Sequence, residues 1–211
     1  MTSTNDIHTA IAGYYSTRLR EHGPTPGGVD WNSAASQRLR FDQLLRIADG
    51  AQSFSLNEIG CGYGALVADA GKNHAMTSYH GVDLSADMID QARTLHAADG
   101  HATFAVGDRP DRPRDFCVAS GIFNVRLDVA DAPWLGHILE TLEIMDEYGS
   151  RGFAFNALTS YSDPDRMRPD LYYCDPRAIF DHCKTRYSPQ VALLHDYGLY
   201  EFTILVRKDV R

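Results

Sequence analysis

Residues 55–70, SLNEIGCGYGALVADA, constrain this chain more than any other stretch. An apolar run ends on the acidic Glu58, and glycine then stands at positions 60, 62 and 64. Residues without a Cβ let the backbone turn sharply and approach a ligand closely. The run before the turn (56–59) reads as a strand, and residues 64–70 open a helix. A strand that feeds a helix through a glycine turn is the first unit of an α/β sheet.

The rest of the chain repeats that alternation. Strands are expected at 78–84, 102–108, 115–123 and 152–158, and helices at 133–148 and 175–184. Ser85 is placed to cap a helix that carries Met88, Ile89, Ala92 and Leu95. The run at 115–123 is apolar enough to be covered on both faces. Two last strands, 190–195 and 200–206, are separated by only DYGL (196–199). A parallel crossover needs about a dozen residues, so this pair must be antiparallel if adjacent. The expected fold is α/β and Rossmann-like: a seven-stranded, mostly parallel sheet with one antiparallel strand and helices on both faces. Residues 1–50 precede it as a helical cap. Ile7, Ile11, Tyr14 and Leu19 recur at helical spacing, HGPTPGG (22–28) breaks the chain, and Asn32 or Ser33 can cap a second helix ending before Gly50. Residues 51–211 form the sheet domain, and the two parts make one compact unit.

Composition narrows the function. The 211 residues carry 20 basic and 28 acidic side chains, a net charge of -8. Such a surface repels a phosphate backbone, which argues against a nucleic-acid substrate. No window approaches the roughly 20 apolar residues of a membrane span, and the N-terminal residues lack the pattern of a secretory signal. The four cysteines (Cys61, Cys117, Cys174, Cys183) have no Cys-x-x-Cys spacing and read as reduced thiols of a cytoplasmic protein. No metal-ligand spacing is found. Asp163, Asp165 and Asp170 share SDPDRMRPD with two arginines and read as a salt-linked surface loop.

The acids at the strand ends indicate what the glycine turn holds. Glu58 precedes the first glycine. Asp83 ends the second expected strand, where a carboxylate accepts hydrogen bonds from ribose hydroxyls. Asp108 ends the third, in reach of an adenine amino group. A dinucleotide would seat its pyrophosphate on the helix N-terminus, beside an unwelcome Glu58. S-adenosylmethionine has no phosphate and carries a sulfonium and an ammonium, so acidic company suits it better than it suits NAD.

Taken together, NEIGCGYGALVADA, GVDLSADMIDQAR, FAVGD and FCVASGIF resemble the class I S-adenosylmethionine-dependent methyltransferases, by motif over residues 56–123 and by strand order beyond. The resemblance implies that Gly60, Cys61 and Gly62 pass beneath the methionine and ribose of the cofactor. It implies that Asp83 takes the ribose hydroxyls, with Leu84 and Met88 near the adenine. Asp108 then lies at the adenine edge, and Ser120 and Gly121 near the methionine end. Glu58 orients the glycine loop or meets the ammonium through water. Arg40, on the second helix, is a candidate partner for the cofactor carboxylate. HGPTPGGVDWNSAASQRLRFDQL and FNALTSYSDPDRMRPDLYYCDP are similar to a small bacterial branch associated with sugar-modifying and secondary-metabolite pathways.

The acceptor pocket is expected over the cofactor, where three segments rich in aromatic and polar residues converge. They offer Tyr14, Tyr15, Trp31 and Asn32; then Asn124; then Asn156, Tyr161, Tyr172 and Tyr173. Methyl transfer is an in-line displacement that needs a general base only if the acceptor is protonated. His22 and His195 are the base candidates because histidine titrates near neutral pH, and Tyr15 joins them as a catalytic candidate; the other histidines have no such placement. The expected activity is methyl transfer to N or O of a polar small molecule, a sugar or aminocyclitol among them. A cofactor-binding pseudoenzyme and an NAD-dependent oxidoreductase are the alternatives, and a homodimer is left open.

Overall fold

A computed structural model describes residues 3–73 and 76–208. Seven strands form one sheet in the order β3-β2-β1-β4-β5-β7-β6: β1 (Phe54–Ile59), β2 (Met76–Asp83), β3 (Ala102–Val106), β4 (Arg114–Ala119), β5 (Gly149–Leu158), β6 (Gln190–Leu194) and β7 (Glu201–Arg207). Strands β1 to β5 pair in parallel, whereas β7 runs antiparallel to both β5 and β6. The expected sheet with one reversed strand is therefore the observed one. The order reverses between β1 and β4, so the ligand crevice of such a sheet lies beyond the carboxyl end of β1.

Among the described residues six α-helices cover it: α1 (Thr4–His22), α2 (Ala34–Leu45), α3 (Ala65–Asn73), α4 (Ala86–Leu95), α5 (Asp131–Tyr148) and α6 (Pro176–Arg186). Their starts follow local chemistry. Ser33 caps α2 by accepting from the Ser36 N–H at 3.1 Å, and Ser85 caps α4 by accepting from the Met88 N–H at 3.2 Å. Asn32 stands one residue before the α2 cap.

Alternation along the strands splits the core into two layers. Cys117, Ala119, Phe153 and Phe155 face α5 and α6, packing with Trp134, Ile138, Leu142 and Ile179. Phe116, Val118 and Ala154 face the other way, toward Leu66 and Val67 of α3, Ile89 of α4, and Phe41, Leu44 and Leu45 of α2. The second helix of the cap thus belongs to the main core.

Two expected strands end early. β4 stops at Ala119 rather than continuing to 123, because the chain turns out of the sheet at Gly121, whose φ is +70°. β3 stops at Val106, although the Gly107 N–H still donates to the Asp83 carbonyl at 2.9 Å.

Candidate active site

The turn after β1 is held from below. The N–H groups of Gly60 and Cys61 both donate to the Val82 carbonyl, at 2.8 and 3.0 Å. Gly60 and Gly62 adopt φ of +70° and +53°, a left-handed conformation that costs other residues about 1–2 kcal/mol. A Cβ on Gly60 would lie 2.2 Å from Cγ2 of Ile122, and one on Gly62 would lie 3.1 Å from Cγ1 of Val29. The motif is therefore required by the turn itself and by what packs above it.

Asp83 locks this turn. One carboxylate oxygen accepts from the Gly62 N–H and the other from the Ser85 N–H, each at 2.9 Å. A carboxylate offers about four acceptor sites, so two remain for a diol. Burial raises its pKa, against the two backbone hydrogen bonds that lower it. Glu58 lies deeper, 2 % exposed, and accepts a hydrogen bond from the Tyr79 hydroxyl. Burial pushes its carboxyl up to about 8; the Tyr79 bond opposes this and the Asp83 charge adds to it. The raised value favours the protonated form of Glu58 at neutral pH.

These groups line a cavity of about 370 Å³. Of the residues expected to hold a cofactor, Glu58, Gly60, Cys61, Gly62, Asp83, Leu84, Met88, Asp108 and Ser120 all line it. Tyr15 and Trp31 close it from the N-terminal segment and also line a second cavity of about 800 Å³. Burial, then the charge of Asp30, raises the Tyr15 hydroxyl well above its ordinary value. The second cavity takes in Asn32, Gly121, Asn124 and Tyr173, as expected of an acceptor site, together with Arg40, Arg168 and Glu201. Asn124 and Tyr173 are already engaged there: Asn124 accepts from the Leu158 N–H at 3.0 Å, and the Tyr173 hydroxyl accepts from the Arg168 N–H at 2.8 Å.

Several expected residues are placed elsewhere. Arg40 does not line the first cavity. Its Nε and Nη2 each donate to Glu201 at 2.7 Å, because a carboxylate only 1 % exposed at the start of β7 requires a counter-charge. Gly121 lines the second cavity rather than the first; its N–H donates to Oδ1 of Asn156 at 2.7 Å. Asn156 is fully buried and scaffolds the turn instead of facing an acceptor. Tyr14 donates to Asp30 at 3.0 Å and lines neither cavity. Tyr172 packs on the core, and Tyr161 is 60 % exposed beside His195.

Neither base candidate lines either of these two cavities. His22 is exposed at the end of α1, 3.8 Å from Glu21. His195 is exposed between the rings of Tyr161 and Phe202. The histidines that do reach the first cavity are His8 and His137, edge to face with ring centroids 5.4 Å apart. Burial, then the neighbouring His8, pushes His137 down to about 4. They come from α1 and α5, and no local signal links them. Gln37 and Tyr63, a buried hydrogen-bonded pair at 3.4 Å, also line the cavity without a sequence signal.

The sheet order with its single reversed strand, and an acid-lined cavity at the switch point, define an enzyme of the methyltransferase class. A family profile, Methyltransferase domain, matches residues 57–142. Rv1506c of Mycobacterium tuberculosis (strain ATCC 25618 / H37Rv), which bears the name of a methyltransferase, is 53% identical over 164 residues, 78% of this chain and 99% of that protein. The chain belongs to the methyltransferase family. Among solved structures, DhpI in complex with SAH superposes with a TM-score of 0.68 at 16% identity, covering 99% of this chain and 100% of that one. The magnesium protoporphyrin IX methyltransferase ChlM from Synechocystis PCC 6803 with bound SAM gives 0.66 at 15% identity, covering 99% and 100%. The shared fold extends over nearly the whole chain.

Proposed function

We propose that this chain transfers a methyl group from S-adenosylmethionine to an N or O atom of a polar small molecule, which enters through the second cavity. The observation that carries this reading is the pairing of two cavities across Tyr15 and Trp31, one acidic and glycine-floored, the other lined by polar loops.

The first cavity fits the cofactor. Asp83 has two free acceptor sites for ribose hydroxyls, and Asp108 faces the same space from the end of β3. Asp83, Asp108 and Glu140 line the space with carboxylates, against Arg109, which pairs with Asp108; this balance suits a cation and opposes a pyrophosphate. Bound there, S-adenosylmethionine supplies a methyl group activated by its positive sulfur.

The chain's own work is placement and exclusion of water. Asp30 ties the roof together: it accepts from Tyr14, pairs with Arg18 at 3.1 Å, and meets Arg168 of the 159–175 insert at 3.7 Å. That joins α1 to the insert beside the second cavity, which Asp30 and Arg168 both line. No histidine among the described residues lines the second cavity, so the rate enhancement is assigned to positioning rather than to His22 or His195. The similarity of the N-terminal and 155–176 segments to a sugar-pathway branch supports sugar-derived metabolites as the first acceptors to screen.

The test is transfer of a labelled methyl group from S-adenosylmethionine to such a panel. Acceptor-dependent label, blocked by S-adenosylhomocysteine, is the expected result. Tight S-adenosylhomocysteine binding with no transfer to any acceptor would favour a binding module instead.

A further inference from the structure

We propose that the acceptor carries an oxyanion, a carboxylate or a phosphoryl group, received in the second cavity by Arg40 and Arg168. This rests on the methyl-transfer reading above and specifies the substrate class of the same site.

The argument begins with one atom. The Arg40 side chain is 8% exposed and lines the second cavity. Two of its nitrogens are spent on Glu201, but Nη1 is buried and has no hydrogen-bond partner among the described residues. A guanidinium nitrogen can only donate, and a buried donor left unpaired is costly. The group cannot easily swing to find another partner. The Trp31 ring stacks on it, with Cζ 3.9 Å from the ring centroid, and Glu201 holds its opposite edge. Arg40 is thus a fixed guanidinium, with Nη1 as its spare donor, beside a cavity that also borders the proposed cofactor site through Tyr15 and Trp31.

Charge decides what it receives. A neutral hydroxyl could satisfy Nη1 alone, but the cavity wall holds three arginines (40, 166 and 168) against two acids, Asp30 and Glu201. That is an excess of one positive charge in a protein of net charge -8. Both acids are already engaged: Glu201 by Arg40, Asp30 by Arg18 and Tyr14. Of the arginines, Arg168 gives Nε and Nη2 to Asp170, and its Nη1 lies 3.7 Å from Asp30. The first cavity has the opposite character: besides the protonated Glu58, four acids (Asp83, Asp108, Glu140 and Glu143) stand on its wall against Arg109. A cationic amine is therefore drawn to the first cavity and opposed by the second, whereas an anionic acceptor meets a fixed donor and a half-exposed arginine, Arg168, at the rim.

Trp31 provides the readout, since it stacks on the guanidinium in question. Protein saturated with S-adenosylhomocysteine is titrated with inorganic phosphate and, separately, with acetate, following tryptophan fluorescence at constant ionic strength against chloride. A saturable millimolar response to at least one anion is expected. Phosphate alone assigns a phosphoryl acceptor, and acetate a carboxylate. Arg168→Gln should weaken the response about tenfold, the effect of losing one charge-assisted hydrogen bond. Truncating Arg40 alone would strand Glu201, so the decisive variant is Arg40→Gln with Glu201→Gln, which removes both charges together and should abolish the response. No saturable response to either anion, or a response that survives the double variant, overturns the proposal. S-adenosylhomocysteine affinity in the same samples separates the two readings: its absence strikes the methyl-transfer reading, while its presence without anion binding strikes only this one.

Discussion

The two cavities are built by different means. The proposed cofactor side is made of backbone: glycines at positive φ, N–H groups fixed on Val82 and Asp83, and carboxylates at successive strand ends. The proposed acceptor side is made of side chains paired across the sequence, Arg40 with Glu201 and Asp30 with Arg18 and Arg168. A backbone cradle is local and rigid, and its loss should show as lost binding in a folded protein. A side-chain lattice is long-range, and its loss should show first as lost stability.

Arg40→Ala is expected to break this contrast most visibly. It leaves Glu201 buried and unpaired, which costs about 3–5 kcal/mol. Denaturant unfolding should report that loss. Arg40→Gln with Glu201→Gln should recover most of it, and failure to recover would mean that the pair is not what holds β7 to α2.

The cofactor side carries a stability effect of its own, visible only as pH dependence. Glu58 keeps its proton up to about 8 when folded, against 4.5 when unfolded. The folded state therefore binds more protons between those values. Stability from this group is full below 4.5 and is lost as pH rises toward 8, by roughly a few kcal/mol. Melting followed from pH 5 to 8 should fall in the wild type and be flatter in Glu58→Gln. Parallel slopes would show that the carboxyl is not the titrating group.

Asp83→Ala should weaken S-adenosylhomocysteine binding by about 1–3 kcal/mol, through lost hydrogen bonds to the ligand and to the Gly62 N–H. Calorimetry of the folded variant measures this directly, and an unchanged affinity would remove Asp83 from the ribose. The smallest effect is expected at His22→Ala and His195→Ala. Both side chains are exposed and lie outside the cavities, so turnover should stay within about twofold of wild type. A loss of a hundredfold in either would restore it as a base.

The same contrast explains what was legible in the sequence. The succession of strands and helices and the glycine turn were readable because strand periodicity, helix caps and glycine turns act over a few residues. Glu58, Asp83 and Asp108 could be placed merely by counting to the ends of strands. Gly121 was expected near the methionine end, yet it lines the second cavity, since only packing against Trp31 decides which way it faces. The partner of Arg40 lies at position 201 and carries no local mark. His8 and His137 meet because α1 and α5 both approach the first cavity, a consequence of topology that neither neighbourhood encodes. His22 and His195 stood out for their loops, yet a loop near a site need not point into it.

Calorimetric titration of the wild-type protein with S-adenosylhomocysteine, beside NADH, tests the central claim most directly. Saturable one-to-one binding of S-adenosylhomocysteine, with no heat from NADH, is the predicted result. Binding of NADH with none of S-adenosylhomocysteine would mean that the acid-flanked turn seats a pyrophosphate after all, and would contradict the account.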